Sequence, residues 1–395
     1  MAAIKISDIK ILMVTRENQA DKRYGLGRSL TPLIDEFHRR NIVMDYLCQN
    51  DLGISAKAWQ QKLHQWLSGS LAKLLIDADC SVLAQVVLER LNMGRLAVKI
   101  AAKRGYTHVH CHDPIIAAGV SLCLRFYPRL KIRWGVTEHG FGCYADAIRA
   151  DGVRLGPRTL KWLRRWEERT LNAAAWVVAP TRSAIVEIGI GLNIACIPEN
   201  WHHISHARPQ INRYSRQESR RRLGWQNDVF YLLGIGRIAP VKQFPLLIEA
   251  CSHLKKLAVQ LVILGEGDCQ SLSALGKRFG LERDVLFAAT DDIGLYLSAA
   301  DLYVSASASE SFGLANLEAI AAGLPALCTA VGGVPEVMGG GALLVSPELD
   351  ALADGMRRLL DNRELRESVA RQGRLRAETW PDIAEIADNY EKIYR

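Results

Sequence analysis

The sequence predicts an α/β protein built from two doubly wound, Rossmann-like domains, and two observations carry that expectation. The chain has 395 residues, 49% of them apolar, more than one compact core usually holds, so two domains of roughly 150 to 200 residues are expected. Short apolar runs rich in β-branched residues alternate with longer segments of helical period, the pattern of a parallel sheet covered by helices. Strands are expected at Ile9 to Val14, His108 to Cys111, Ile132 to Thr137, Trp176 to Pro180, Phe230 to Ile235, Gln260 to Leu264, Val285 to Phe287, Leu302 to Ser305 and Ala326 to Thr329. Helices fill most of the intervals. In Ala56 to Leu75 the residues Trp59, Leu63, Trp66, Leu67, Leu71 and Leu74 recur at helical spacing, as a core or lid stripe, with membrane docking as the other reading.

The boundaries follow from composition. An N-terminal domain is expected over 1–205. A polar, basic linker covers 206–228, before the apolar strand that begins at Val229. A second domain takes 229–375, and a closing helix 376–395. Ile9 to Thr15 is too short and too interrupted for a signal peptide, and no apolar run reaches the length of about 20 residues that spans a bilayer. Nine scattered cysteines, never paired at metal or redox spacing, fit a reduced cytoplasm. Lys and Arg number 50 against 42 Asp and Glu, a formal +8, with the excess at Arg154 to Arg169 and Arg213 to Arg222. Such clusters fit solvated helix faces, an anionic membrane surface or a phosphorylated partner.

The chemistry concentrates after the strand ending at Ser305. There the chain reads Glu310-Ser311-Phe312-Gly313-Leu314-Ala315-Asn316-Leu317-Glu318. A helix starting at about Phe312 would aim its free N–H groups and positive dipole end at a diphosphate. Glu318 could accept two hydrogen bonds from a ribose diol. Gly236-Arg237 closes an earlier strand and Lys242 follows five positions later, so both cations are expected near the phosphates. Gly265 and Gly267, after a third strand, would let backbone approach a base or ribose. Taken singly, each feature also fits an ordinary surface cation, a solvated helix face or a plain turn.

Together these residues resemble glycosyltransferase family four, of the GT-B fold. The likeness extends through Ala300-Asp301, Glu318 to Pro325 and Gly332-Gly333-Val334-Pro335-Glu336, and covers nearly all of Ser219 to Arg395. It implies two domains facing a cleft, with the last helix crossing back to the first domain. It also implies a nucleotide-sugar donor, retention of anomeric configuration, and no cofactor or catalytic metal. Ser311, Phe312, Gly313 and Leu314 would then line the donor phosphates. Glu310 would hold sugar hydroxyls. In the first domain, Gly25 and Gly27 stand where the family has a glycine-rich loop, and His139 is the candidate for orienting the donor sugar. Ile197-Pro198-Glu199-Asn200 departs from the family's usual Ile-Pro-Asn-Gly. His110 and His112 share one strand face, as structural histidines or as two members of a metal set without a third.

The expected function is therefore retaining glycosyl transfer to a glycan, lipid-linked or small-molecule acceptor, in polysaccharide or lipopolysaccharide biosynthesis. The protein is expected in the cytoplasm or on the inner face of its membrane. The alternatives are a soluble small-molecule glycosyltransferase, a nucleotide-sugar epimerase or phosphorylase of the same architecture, or a basic nucleic-acid or membrane binder. No nucleic-acid partner is expected, because the basic runs carry no reading motif and no interleaved aromatics.

Overall fold

A computed structural model of the chain describes residues 9–17, 25–51, 58, 61–62, 65, 79–150, 152–254 and 258–395. The apolar stripe from Trp59 to Leu74 lies outside the described residues. The chain forms two compact units, Met1–His206 with Ile383–Arg395, and Ala207–Asp382.

The first unit holds β1 (Lys10–Val14), β2 (Val43–Leu47), β3 (His108–Cys111), β4 (Arg133–Thr137), β5 (Val177–Ala179) and β6 (Trp201–His203). Their order is β2-β1-β3-β4-β5-β6 and every pairing is parallel. Strand alternation divides the side chains between the two faces. Leu12, Val14, Val109, Cys111 and Val136 join the main core under helix Pro114–Arg125. His108 and His110 point to the other face, where the rings of Trp176, Tyr390 and Tyr394 meet them edge-on or tilted. Helix Ile383–Tyr394 thus completes this unit. Its attachment is polar as well, since Arg40 donates to Asp388, Glu391 and the Ala384 carbonyl.

The second unit holds β7 (Phe230–Ile235), β8 (Val259–Leu264), β9 (Val285–Ala288), β10 (Leu302–Ser305), β11 (Ala326–Thr329) and β12 (Leu343–Val345), all parallel, in the order β12-β11-β10-β7-β8-β9. Both faces are buried. Leu232, Leu261, Ile263, Leu302 and Val304 enter one apolar cluster, while their neighbours Tyr231, Leu233, Val262, Leu264 and Tyr303 enter the other. That is why these strands read as continuous apolar runs. The order reverses between β7 and β10, and in open α/β sheets ligands collect beyond the carboxyl ends of strands at such a reversal.

Three strands escaped the sequence reading, β2, β6 and β12, and each is a sheet edge. An edge strand has one neighbour and partial exposure, so its apolar run is short. The stretch expected as a linker, 206–228, instead contains helix Arg216–Leu223 and belongs to the second unit. Ser215 caps that helix and Gly224, at φ 68°, ends it. Its Arg220 is 1% exposed and donates to Asp301 and to the carbonyls of Ala299 and Gln226, so this part of the basic cluster is an internal anchor. The closing helix starts at Ile383 rather than near 376, because helix Arg363–Glu378 stops ahead of Pro381, whose ring disfavours helical geometry in the residue before it. No helix among the described residues is long and apolar enough to cross a membrane.

Candidate functional site

The loops after β7 and β10 meet at the reversal of the second sheet. Lys242, at the end of the short turn Pro240–Lys242, places Nζ 2.5 Å from Glu310 Oε2, with their side chains 23% and 16% exposed. Sequence placed both near one ligand; their contact was not foreseen. Glu310 is fixed from several sides: its carbonyl accepts from Gly333 N–H at 2.9 Å, and Ser307 Oγ stands 3.4 Å from the carboxylate. Ala308 N–H donates to the Val241 carbonyl at 2.8 Å, and Thr329 Oγ1 to the Ser307 carbonyl at 2.7 Å. The carboxylate and ammonium are thus held before any ligand arrives. Ser307 and Thr329 were missed because a residue that only steadies another has no spacing signature.

Gly236, at φ 153°, lets the lysine stem pass: a Cβ there would lie 3.2 Å from Lys242 Cε. Arg237 is exposed on the same loop. The glycine pair after β8 makes a contact that was not foreseen. A Cβ on Gly265 would sit 1.9 Å from the Gly236 carbonyl oxygen, and one on Gly267 2.5 Å from Ile238 Cβ. Ile238 N–H also donates to the Glu266 carbonyl at 2.8 Å. These glycines therefore admit the neighbouring loop of the chain itself, and the backbone of Gly267 remains exposed.

The helix of the Glu310–Glu318 segment runs Leu314–Ala321, two residues later than expected, because Gly313 adopts the left-handed φ of 82° at its N-cap. A Cβ on Gly313 would meet Asn316 Nδ2 at 2.6 Å, so only glycine suits this approach. Ser311 and Leu314 flank it, and Glu318 is buried in the helix's second turn. Phe312 is 2% exposed and packs edge-on against Trp380, with centroids 5.6 Å apart, which leaves only its backbone for a ligand. Asn316 accepts from Tyr303 OH at 2.8 Å, tying the helix to β10.

In the first unit, the carboxyl edge of the sheet carries a file of imidazoles. His110 and His112 stack at 4.8 Å, His112 and His139 at 5.2 Å, and His139 and His206 at 5.9 Å. His112 Nδ1 lies 2.9 Å from His139 Nε2, and His110 bridges Thr137 Oγ1 and Tyr394 OH at 2.7 Å each. Burial lowers His110 to about 3 and His206 to about 4, and holds His112 and His139 well below the ordinary imidazole range, so the file is neutral at pH 7. His139 was anticipated; His206 was not, since nothing in its own neighbourhood marks it. Beside them, burial and the charge of Glu167 push the Glu138 carboxyl well up. Glu167 itself is raised to about 8, chiefly by burial, while its carboxylate accepts from Tyr144 N–H at 2.8 and 2.9 Å.

Gly25 and Gly27 lie in the first turn of helix Gly25–Arg39. The amides of Leu26 and Gly27 face the Glu17 carboxylate, so in this structure they hold a side chain of the chain itself. His110 and His112 do share a face, as expected. Among the described residues no group of three or more His, Cys, Asp or Glu is arranged to hold a metal ion.

Residues 215–376 match the family model described as glycosyl transferases group 1. Among curated proteins, a D-inositol 3-phosphate glycosyltransferase of Pseudarthrobacter chlorophenolicus is 31% identical over 283 residues, 64% of each chain. An alpha-monoglucosyldiacylglycerol synthase of Streptococcus pneumoniae is 28% identical over 195 residues, 47% of this chain and 44% of its own. The chain therefore spans less than two thirds of the length of these relatives. Of solved structures, sucrose-phosphate synthase from Thermosynechococcus elongatus aligns over 98% of both chains with a TM-score of 0.73 at 18% identity. Anabaena HepE, in complex with UDP-glucose, aligns over 97% of this chain and 98% of its own, with a TM-score of 0.68 at 18% identity. The two parallel sheets are accordingly those of the GT-B fold, and Lys242, Glu310 and Glu318 fall within the segment that matches the glycosyl transferases group 1 model.

Proposed function

We propose that this chain is a retaining glycosyltransferase that takes a sugar from a nucleoside-diphosphate sugar and needs no catalytic metal. The observation that carries the reading is the Lys242–Glu310 contact at the strand-order reversal of the second unit, inside the segment that matches the family. A nucleoside diphosphate is a good leaving group, so the chief task is to stabilise the charge that grows on the β-phosphate as the glycosidic bond breaks. Arg237, Lys242 and the backbone amides of Ser311 to Leu314 take that task. Glu310, held beside the lysine, takes the sugar hydroxyls, and Glu318 holds the ribose. Neutral His139 serves the first unit as a hydrogen-bonding group for the sugar. The acceptor hydroxyl attacks the face that the diphosphate leaves, and its proton passes to the departing phosphate oxygen.

UDP-glucose, present in the HepE complex, is the first donor to assay, followed by the guanosine and adenosine analogues. Release of nucleoside diphosphate with a product of the donor's own anomeric configuration, read by NMR coupling constants, supports the reading. An inverted product would remove retention, and no release or thermal stabilisation with any donor would remove the activity.

A finer reading concerns the acceptor. Helix Pro157–Ala173 exposes Arg158, Lys161, Trp162, Arg165 and Arg169 along one face, with Trp162 53% exposed and stacked on Trp166 at 6.2 Å. A cationic helix face with an outward indole suits an anionic membrane surface, and hence a lipid-linked acceptor in polysaccharide or lipopolysaccharide assembly. Sedimentation with phosphatidylglycerol vesicles at low salt tests this. Retention that falls in Trp162→Ala supports it, and absence of retention makes a water-borne acceptor the better reading.

A further inference from the structure

Three arginines of the second unit converge on a cavity of about 220 Å³. Arg208 and Arg213 come from the stretch that opens the unit, and Arg374 from helix Arg363–Glu378. Ile211, Ala321 and Glu378 complete the wall. Two of the arginines have evident structural work. Arg208 Nη1 donates to the Glu378 carbonyl at 2.8 Å, and Arg213 Nη2 reaches the Ala321 carbonyl at 3.4 Å. Those carbonyls end the helices Arg363–Glu378 and Leu314–Ala321, where a cation complements the negative end of the helix dipole. Each bond uses one of the five N–H groups that a guanidinium carries.

Arg374 is not explained in that way. It is exposed and lines the cavity, and it makes no hydrogen bond or ion pair among the described residues, although Glu378 stands one turn along the same helix. Its guanidinium lies over Gly323, at φ 83°, where a Cβ would be 2.9 Å from Nη2. Three guanidinium groups around one concavity, with one carboxylate in the wall, leave positive charge that an anion would neutralise. The volume is below the 300–1,000 Å³ usual for cofactor pockets and suits a phosphate group on a small body. Planar N–H forks from several directions match phosphate oxygens in pairs.

We propose that this cavity binds a phosphomonoester, with Arg374 as its principal ligand and the remaining N–H groups of Arg208 and Arg213 completing the contact. The site lies at the carboxyl end of helix Leu314–Ala321, whose second turn holds Glu318. Occupancy therefore draws on Arg213, the cation that caps that helix. The proposal is independent of whether the chain transfers sugar.

The test is thermal unfolding with inorganic phosphate and with glycerol 3-phosphate, against chloride at equal ionic strength, for the wild type, Arg374→Gln, Arg213→Gln and Lys242→Ala. A ligand of the folded state raises its melting temperature. The expected result is a rise in the wild type and in Lys242→Ala, a smaller one in Arg213→Gln, and none in Arg374→Gln, whose melting temperature without phosphate stays near that of the wild type. If Arg374→Gln is itself unstable, line broadening of the 31P signal of glycerol 3-phosphate by Arg213→Gln, weaker than by the wild type, carries the same test. Sedimentation with phosphatidic acid vesicles separates the sources: retention that depends on Arg374 assigns a lipid headgroup, and a soluble-probe shift without it assigns a free metabolite. An unchanged rise in Arg374→Gln, loss of the rise in Lys242→Ala, or no response to soluble probes or vesicles overturns the proposal.

Discussion

Gly265 stands so close to Gly236 that a Cβ on the first would lie 1.9 Å from the carbonyl oxygen of the second. Both follow neighbouring strands, β8 and β7, and Gly236 in turn borders the stem of Lys242. A methyl group at 265 must push the 236–242 loop away, and with it the lysine. Gly265→Ala is expected to cost about 1–3 kcal/mol, the usual range for overpacking, and to weaken donor use more than its stability loss accounts for. Urea unfolding and steady-state turnover of the same sample check this. Full turnover in a correctly folded variant would show that the loop's position is immaterial.

The Lys242–Glu310 contact makes the two residues interdependent. Lys242→Ala or Arg237→Ala should lower turnover by about a hundredfold or more, as losing a preorganised charge partner does. Lys242→Ala combined with Glu310→Gln should cost less than the sum of the separate losses, because each single change already disturbs the other side chain. Additive losses would mean that the contact has no bearing on catalysis.

Glu318→Ala should act on affinity. Isothermal titration with the preferred nucleoside diphosphate is expected to show weakened binding while the rate at saturating donor falls much less. Unchanged affinity would remove the ribose role.

The buried imidazoles of the first unit set a pH dependence of stability. The folded values of His108, at about 4, His110, at about 3, and His206, at about 4, lie below the unfolded value of 6.5. The unfolded chain therefore binds more protons between those limits. Stability should be fully present above pH 6.5 and fall as pH drops towards 4, by up to about 1.4 kcal/mol per pH unit for each histidine. Replacing His110 with Asn should flatten that slope. Glu167 runs the other way. Its folded value of about 8 exceeds the ordinary 4.5, so its contribution is present at low pH and lost as pH rises from 4.5 through 8. Denaturant midpoints measured across pH 4 to 9 separate the two, and a slope unaltered by the His110 change would refute the assignment.

Asp301 is the partner of a guanidinium that is 1% exposed and also accepts from Tyr231 N–H at 2.8 Å. Asp301→Ala leaves Arg220 charged and buried, and such a loss costs about 3–5 kcal/mol. Chemical denaturation of the variant checks it, and a loss below 1 kcal/mol would mean that the surrounding carbonyls suffice.

The interior of each sheet was legible because strands covered on both faces must be apolar throughout: all nine expected strands are present, with ends within a residue or two. Three of the four edges were not, since β2, β6 and β12 bury too little to write a long apolar run, whereas the fourth edge, β9, was read. Lys242, Glu310 and Glu318 could be singled out from glycine turns and carboxylate spacing. What each glycine accommodates could not, because sequence records that backbone passes close by without saying whose. Gly265 and Gly267 were read as approaching a ligand, and they also admit the neighbouring loop. Arg220 looked like one surface cation among many, since its burial depends on Asp301, 81 residues away. His206 joined the histidine file by the same kind of distant return.

The attachment of Ile383–Tyr394 to the first unit has a consequence for biosynthesis. On the ribosome, β1 to β6 are all made before residue 206, yet the hydroxyl that meets His110 and the carbonyl that accepts from Arg133 both belong to Tyr394. One face of the first sheet must wait, uncovered, while the 176 residues of Ala207–Asp382 are synthesised. The nascent chain thus finishes its second unit before its first, and a stop codon a dozen residues early would strand the earlier half unfinished.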